Sequence, residues 1–167
     1  MKYRNDLTSE YVRSILDYDP ETGVLKWKVT LSKRAVAGKT AGSIRRGYVV
    51  VGIGGVHYQA HRLAYLIMTG EWPPDQTDHN GLDRSDNRWE KIRPATASQN
   101  SANVKAYSTN KSGCKGVSWC KCTKKWRATL TVKYKHICLG RYGTIEEAAA
   151  AYARGATEYF GEFARGA

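Results

Sequence analysis

Acidic residues are missing from a long stretch of this sequence of 167 residues. No Asp or Glu occurs from Lys91 to Ile145, whereas the same stretch contains twelve Lys or Arg residues. The complete chain has 27 basic and 15 acidic side chains, which gives a formal net charge of +12. Such an excess of positive charge favours a polyanionic partner, either a nucleic acid or an anionic membrane surface.

Long apolar runs are missing as well. No run approaches the roughly 20 residues that a helix needs to span a bilayer. The N-terminal sequence MKYRNDLTSE lacks the apolar core of a signal peptide. The basic residues fall in strand-like segments and not along an amphipathic helix of the kind that binds membrane surfaces. We therefore expect a soluble, cytoplasmic protein whose partner is nucleic acid.

Cysteine is scarce, and the four residues of this type lie close together in the second half of the chain. They are Cys114, Cys120, Cys122 and Cys138. Disulfides are unusual in cytosolic proteins. The C-x-C pair and the sequence His136-x-Cys138 offer ligands for zinc, although the common C-x2–4-C knuckle is absent. Zinc binding and free thiols both remain open.

The segment from Asp78 to Asn100 carries the residue types that phosphodiester hydrolysis requires. It reads DHNGLDRSDNRWEKIRPATASQN, with His79 directly after an acidic residue and a further amide at Asn87. A neutral imidazole accepts a proton from water at physiological pH. Carboxylate and amide oxygens are suitable ligands for a hard divalent cation. The segment therefore predicts one general base and one cation site.

Hydrophobic spacing and turn residues predict the elements around this segment. A helix over 7–18 is capped by Thr8, and Gly70 ends a second helix that begins at His61. The further predicted elements are strands near 24–29, 47–53, 56–60 and 76–79, a helical piece that begins at 86–89, and a last helical turn at 96–103.

The second half is predicted to form a three-stranded antiparallel sheet, with strands at 116–120, 125–133 and 136–142. A capping box of Thr144 and Glu147 opens the helix that follows. Alternation places Val117 and Trp119 on the side that packs against this helix. The other face carries Ser118, Cys120, Arg127, Thr129, Thr131, Lys133, His136 and Cys138.

Two families share the motifs of this chain. Residues 60–100 resemble the HNH homing-type endonucleases of phages and introns through AHRLAYLIMTG, DH, a turn with glycine, SDNR and a closing S-x-N. Residues 113–166 are similar to the apetala-type (ethylene-response-factor) DNA-binding domain through KGVSW, KWRATL, LGRYGTIEEAAAAYA and FGEFA.

The resemblances imply an α+β protein with two domains. An HNH ββα-metal nuclease domain would occupy residues 1–104 and an apetala-type domain residues 113–167, with a polar linker at 105–112. They also imply a metal-dependent endonuclease that acts on double-stranded DNA. For a phage protein, the location would be the cytoplasm of the host cell.

The HNH resemblance further implies a role for individual residues. Asp78 would be a metal ligand, His79 the general base, and Asn100 the last metal-binding position, with Mg²⁺ or Mn²⁺ as the ion. The central asparagine of the family, which normally orients the histidine, corresponds here to Lys91. A DNA-binding protein on an inactive nuclease scaffold is therefore the alternative function.

Basic and polar side chains supply the predicted DNA contacts. In the first domain, phosphates would be bound by Arg84, Arg88 or Arg93. In the second, lysines would neutralise phosphates, and polar side chains of the sheet would reach base edges in the major groove. Ser118, Cys120 and Thr131 replace arginines usual in the family, which predicts modest sequence discrimination. The predicted DNA-binding residues are Lys115, Ser118, Lys121, Lys124, Lys125, Arg127, Thr129 and Thr131.

Overall fold

The computed structural model describes residues 4–81, 83–106 and 108–165. The chain forms two compact units, Met1–Pro94 and Ala95–Ala167, each with its own hydrophobic core. Among the described residues, no helix is both long and apolar enough to cross a membrane. The division falls ahead of the predicted domain end at residue 104.

The first unit opens with helix α1, Ser9–Ile15, which is capped by Thr8 as predicted. The Thr8 hydroxyl oxygen accepts a hydrogen bond from the backbone N–H of Tyr11 at 3.2 Å. The predicted extension of this helix to residue 18 is wrong. Strand β1, Leu16–Tyr18, pairs instead with β2, Leu25–Trp27, and its buried–exposed–buried pattern has the period of a strand.

A three-stranded antiparallel sheet and a helix contribute many of the buried residues in the core of the first unit. The sheet consists of β3 (Ser43–Arg45), β4 (Tyr48–Ile53) and β5 (Val56–Gln59), in that order, and β3 was not predicted. Helix α2, Ala60–Thr69, follows directly and ends at Gly70, whose φ of 85° terminates it as expected.

The segment that resembles the HNH endonucleases contains a two-stranded sheet. Strand β6, Gln76–His79, pairs with β7, Ile92–Ala95. The helical piece predicted to begin at 86–89 is a single short 3-10 helix, Trp89–Lys91. The backbone of this segment forms a hydrogen bond to a distant part of the chain, since the Trp89 N–H donates to the carbonyl oxygen of Pro20 at 2.9 Å.

The second unit confirms the predicted sheet and helix. Its elements are α3 (Ala97–Asn103), β8 (Val117–Cys120), β9 (Lys125–Val132), β10 (Lys135–Tyr142) and α4 (Ile145–Phe160). The strands lie in the antiparallel order β10-β9-β8, and the capping box of Thr144 and Glu147 opens helix α4. A capping box of Thr96 and Gln99 opens helix α3.

Lys115 explains why α3 belongs to the second unit. Its ammonium group is half-buried and donates to the carbonyl oxygens of Ser101 (3.3 Å), Ala102 and Val104 (2.7 Å) at the end of α3. These bonds satisfy orphan carbonyls of the helix. Residues 105–112, predicted as a linker, thus lie within the second unit, and Tyr107 among them is outside the described residues.

A β-bulge changes the alternation of strand β10. Cys138 pairs with Thr129, but the next pair is Gly140 with Ala128, so Leu139 is an extra residue. The bulge reverses the facing of every residue after it. Arg141 is therefore exposed on the polar face, opposite Arg127, while Tyr142 packs against the core.

One of the two residues assigned to the apolar face of β8 is largely exposed. Val117 is buried, as predicted, whereas 48% of Trp119 is exposed. The Trp119 ring meets the Trp126 ring edge-on, with centroids 5.1 Å apart. Trp126 is partly buried and packs against the core, whereas Trp119 lies beside it at the surface and is not itself a core residue.

Candidate active site

His79 ends strand β6 and is 6% exposed. Its Nε2 lies 3.4 Å from the amide oxygen Oδ1 of Asn87. Burial lowers the pKa of His79 from its ordinary value, and the contact with Asn87 opposes that shift. The imidazole is therefore neutral near pH 7, as a general base must be.

Asn87 is held in place by a turn that is distant in sequence. The Tyr18 hydroxyl donates to the backbone carbonyl oxygen of Asn87 at 2.6 Å. Gly23, with φ of 72°, lies against the backbone of Asn87 and Arg88 so closely that a Cβ atom would overlap it. The amide nitrogen of Asn87 donates to the Ser85 carbonyl oxygen at 3.0 Å, which turns Oδ1 toward His79.

Lys91, predicted to stand at the histidine-orienting position, has different contacts. Its ammonium nitrogen lies 3.1 Å from the carboxylate of Glu90. Its backbone carbonyl oxygen accepts a bond from the N–H of Asn80 at 2.9 Å, next to His79 in the strand pair. The structure thus gives the histidine an amide partner at Asn87, four residues before the predicted position, which sequence analysis did not assign to this role.

Asp78 forms a buried ion pair with Arg93. The guanidinium donates to the carboxylate oxygen Oδ2 from Nη2 at 2.8 Å and from Nε at 3.0 Å. The two side chains are 4% and 13% exposed, so the pair is shielded from water. Arg93 therefore neutralises the carboxylate predicted to bind metal.

The three arginines predicted to contact phosphate differ in their partners. Arg88 donates to Asp86 from Nε at 2.9 Å and from Nη2 at 2.7 Å. Arg84 is exposed, and its guanidinium lies over the Tyr48 ring, 5.1 Å from the centroid. No carboxylate of the described residues forms an ion pair with it. Arg84 is thus the arginine best placed to take a phosphate.

His61 packs directly against His79. It is 3% exposed, and the two rings meet edge-on with centroids 4.6 Å apart. Its Nδ1 has no hydrogen-bond partner within the described part of the chain. Burial first, and then the neighbouring His79, hold the pKa of His61 well below its usual range. Both imidazoles are therefore neutral, because a positive charge on one ring would be repelled by a positive charge on the other.

The predicted metal ligands supply suitable atoms but belong to different units. Asp78 is in the first and Asn100, on α3, in the second. A carboxylate and an amide oxygen fit Mg²⁺, which usually keeps several waters and takes further oxygens from substrate phosphate. The described residues contain no group of three His, Cys, Asp or Glu that could hold a metal. Shared ligation of one ion stays a prediction.

The polar face of the second sheet carries an arginine that the sequence pattern did not reveal. Strand register places Ser118 opposite Arg127, and Arg127 opposite Arg141. Thr131 and His136 are joined on the same face, with Oγ1 3.0 Å from Nδ1. Lys115, predicted to contact phosphate, is not available there because its donors bind the end of α3.

The predicted zinc alternative gains no support from these contacts. His136 is bound to Thr131, and the sulfur atoms of Cys120 and Cys122 lie 3.0 Å from each other. Zinc sites in proteins are nearly always completed by four ligands. Within the described residues no three potential ligands come together, and the four cysteines are free thiols.

Comparison with known proteins supports a nuclease domain. A family model described as HNH endonuclease matches residues 58–102. The chain is also 38% identical over 92 residues to Protein 3.8 of Escherichia phage T7, a match that covers 54% of this chain and 72% of that protein. The matched residues of the family model include the motif predicted at 60–100.

The buried histidines predict how stability depends on pH. In the unfolded chain His61 binds a proton below its ordinary pKa of 6.5, whereas the folded chain resists this proton. Stability should therefore be full above pH 6.5 and fall below it, by at most about 1.4 kcal/mol per pH unit for each histidine. Urea unfolding between pH 8 and pH 5.5 measures this slope.

The variant His61→Leu should show a shallower fall, with the remaining slope due to His79. The matched control is His57→Leu, whose exposed side chain on β5 should leave the slope intact. An unchanged slope in His61→Leu would show that His61 does not resist protonation in the folded state.

Proposed function

The chain belongs to the family of Protein 3.8 of Escherichia phage T7 and carries an HNH-type domain, and from this premise we propose that it is a homing-type DNA endonuclease. It would hydrolyse a phosphodiester bond with His79 as general base. The observation that carries the proposal is the buried His79 ring, whose pKa is lowered by burial and whose Nε2 faces Asn87 Oδ1 at 3.4 Å.

Asn87 would set the tautomer of the base. An amide oxygen only accepts hydrogen bonds, so a bond to it requires the proton on His79 Nε2. The lone pair then lies on Nδ1, which would take the proton from the attacking water. The Tyr18 and Gly23 contacts hold Asn87 and thereby the orientation of the ring.

Arg84 would bind the substrate phosphate beside this base. Its guanidinium lies over Tyr48, whose ring centroid is 6.0 Å from that of His79. A guanidinium donates two parallel hydrogen bonds to phosphate oxygens. Because Arg88 and Arg93 are paired with carboxylates, Arg84 is the one of the three that can do so without breaking an ion pair.

A divalent cation, Mg²⁺ or Mn²⁺, completes the proposal. Asp78 and Asn100 would supply its protein ligands, as the family resemblance implies. When bound, the ion would act as a Lewis acid on the leaving oxygen. Arg93 would orient the Asp78 carboxylate, and Asp78 would share its oxygens between the guanidinium and the ion.

The second unit would hold the enzyme on double-stranded DNA. The major groove admits a β-sheet edge or ribbon, and the row of Ser118, Arg127 and Arg141 offers donors for base edges and phosphates. Thr129 and Thr131 extend the same face. The lysines at the tip of the β8–β9 hairpin would add phosphate contacts: Lys121, Lys124 and Lys125.

An inactive scaffold that only binds DNA is the second candidate. The observation that favours it is the ion pair itself, because Arg93 already neutralises the buried Asp78 carboxylate. A cation would have to compete with this guanidinium. The two functions differ in whether the purified chain cuts DNA with added metal.

Removal of the base should abolish cleavage without loss of binding. We expect His79→Ala to lower the rate of nicking of supercoiled plasmid by at least about 100-fold, because general-base catalysis usually contributes a rate factor of that size or more. His57→Ala is the control, as an exposed histidine of the same unit. Assays use Mg²⁺, Mn²⁺ and EDTA. Binding without cleavage in the wild-type chain would favour the inactive scaffold.

The two candidate partners of His79 give opposite expectations. Asn87→Ala should slow cleavage by up to about 100-fold, because the base loses its orientation. Lys91→Asn should leave the rate near that of the wild type, since the Lys91 side chain pairs with Glu90. Single-turnover rates at saturating DNA measure both. A large gain in Lys91→Asn would assign the orienting role to position 91.

The polar sheet face predicts a salt-dependent loss of DNA affinity. Arg127→Ala should weaken duplex binding and reduce the slope of log K against log salt by about one. Arg154→Ala, an exposed arginine on α4 at the opposite side of the same unit, is the control and should bind normally. Fluorescence anisotropy at several salt concentrations measures both. Equal losses in the two variants would show that the sheet face is not the binding surface.

A further inference from the structure

The β8–β9 hairpin carries two thiols in contact. Cys120 is the last residue of β8, and Cys122 lies in the four-residue turn that leads to β9. Their sulfur atoms are 3.0 Å apart. Cys122 is exposed and Cys120 is partly exposed, so both can be reached by small molecules.

The turn itself brings the sulfur atoms together. Cys120 pairs with Lys125 across the hairpin, which leaves Lys121, Cys122, Thr123 and Lys124 to reverse the chain. Lys124 adopts a positive φ of 48°, as tight turns often require. The reversal folds Cys122 back over the end of β8, and the contact therefore follows from the hairpin and not from a distant part of the chain.

The Cys120 thiol is also more acidic than an ordinary cysteine thiol. Hydrogen bonds from the Thr123 side chain first, and then from Cys122, lower the pKa of Cys120 to about 6. At neutral pH its thiolate predominates, and the thiolate is the form that attacks electrophiles. Sensor cysteines combine this acidity with solvent access and a nearby resolving thiol.

We propose that Cys120 and Cys122 form a reversible dithiol site that reacts with hydroperoxides and closes to an intramolecular disulfide. The Cys120 thiolate attacks a peroxide oxygen, the O–O bond breaks, and Cys120 becomes a sulfenic acid while hydroxide leaves. Cys122 then attacks that sulfur, the S–O bond breaks, and water leaves. With hydrogen peroxide, two thiols lose two electrons and the peroxide yields two waters.

The alternative use of this pair, a metal site, lacks ligands. Two thiolates satisfy half of a tetrahedral site, and His136 is bonded to Thr131. No group of three potential ligands occurs in the described part of the chain. A pair of thiols in contact, with one deprotonated, in contrast needs only the hydroperoxide as oxidant to form a disulfide.

The tryptic sequence makes the link directly measurable. Trypsin cuts after Lys115, Lys121 and Lys124, so a disulfide joins the peptides GVSWCK and CTK. Cys114 and Cys138 lie in the separate peptides SGCK and HICLGR. The reduced full-length chain is treated with limiting hydrogen peroxide at pH 6, blocked with N-ethylmaleimide, digested and analysed by mass spectrometry.

We expect the joined peptide as the main product, and its loss after dithiothreitol. Cys120 should be oxidised roughly ten times faster than exposed Cys138, since the thiolate fraction at pH 6 outweighs its lower nucleophilicity. In Cys122→Ser, dimedone should instead trap a sulfenic acid on Cys120. Cys114→Ser and Cys138→Ser are matched controls and should still form the link.

Three results would overturn the proposal. The first is a disulfide from Cys120 to a cysteine other than Cys122, and the second is oxidation of Cys120 no faster than that of Cys138. The third is an oxidation product of Cys120 that is the same in Cys122→Ser as in the wild type. Thr123→Val adds an independent check, because it removes the side-chain hydrogen bond that contributes most to the lowered pKa of Cys120. Its Cys120 should reach half-maximal alkylation by iodoacetamide at a pH above 6, and an unchanged midpoint would count against the turn as the source of reactivity.

Discussion

The candidate site depends on the contacts by which the β1–β2 hairpin fixes the position of Asn87. Tyr18 at the end of β1 donates to the Asn87 carbonyl oxygen, and Gly23 in the following turn lies against the same backbone. Only a residue without Cβ tolerates both this approach and the positive φ. Because Asn87 in turn faces His79, the N-terminal hairpin helps to position this candidate base although the hairpin contains no candidate catalytic residue.

Charge in the site is arranged so that the imidazoles stay neutral. His61 and His79 are buried against each other, and burial opposes a proton on either. The Asp78 carboxylate next in sequence would favour such a proton, but the Arg93 guanidinium neutralises it within the same buried pair. Breaking such a pair leaves one buried charge without compensation, so Arg93 and Asp78 stabilise the site only together.

Short sequence patterns predicted most helices and strands, whereas contacts between residues distant in sequence determine the geometry of the candidate site. Caps at Thr8 and Thr144, the end of α2 at Gly70 and the three strands of the second sheet each follow from a few neighbouring residues. The Tyr18–Asn87 bond joins residues 69 positions apart and has no sequence signature. Sequence analysis therefore selected His79 as the general-base candidate, but the resemblance left Lys91 at the position of the orienting asparagine. In the structure the side chain beside His79 is that of Asn87.

A single extra residue completes the separation of charge in the second unit. Strict alternation would turn Arg141 toward the core, but the bulge at Leu139 places it beside Arg127 on the polar face. Acidic residues of this unit occur only after Ile145, on α4 and beyond it, and α4 packs against the other face of the sheet. The absence of Asp and Glu before that point thus leaves basic side chains as the only charged residues of the sheet face. A unit with one basic and one mixed face turns in the field of a polyanion so that the basic face meets it first.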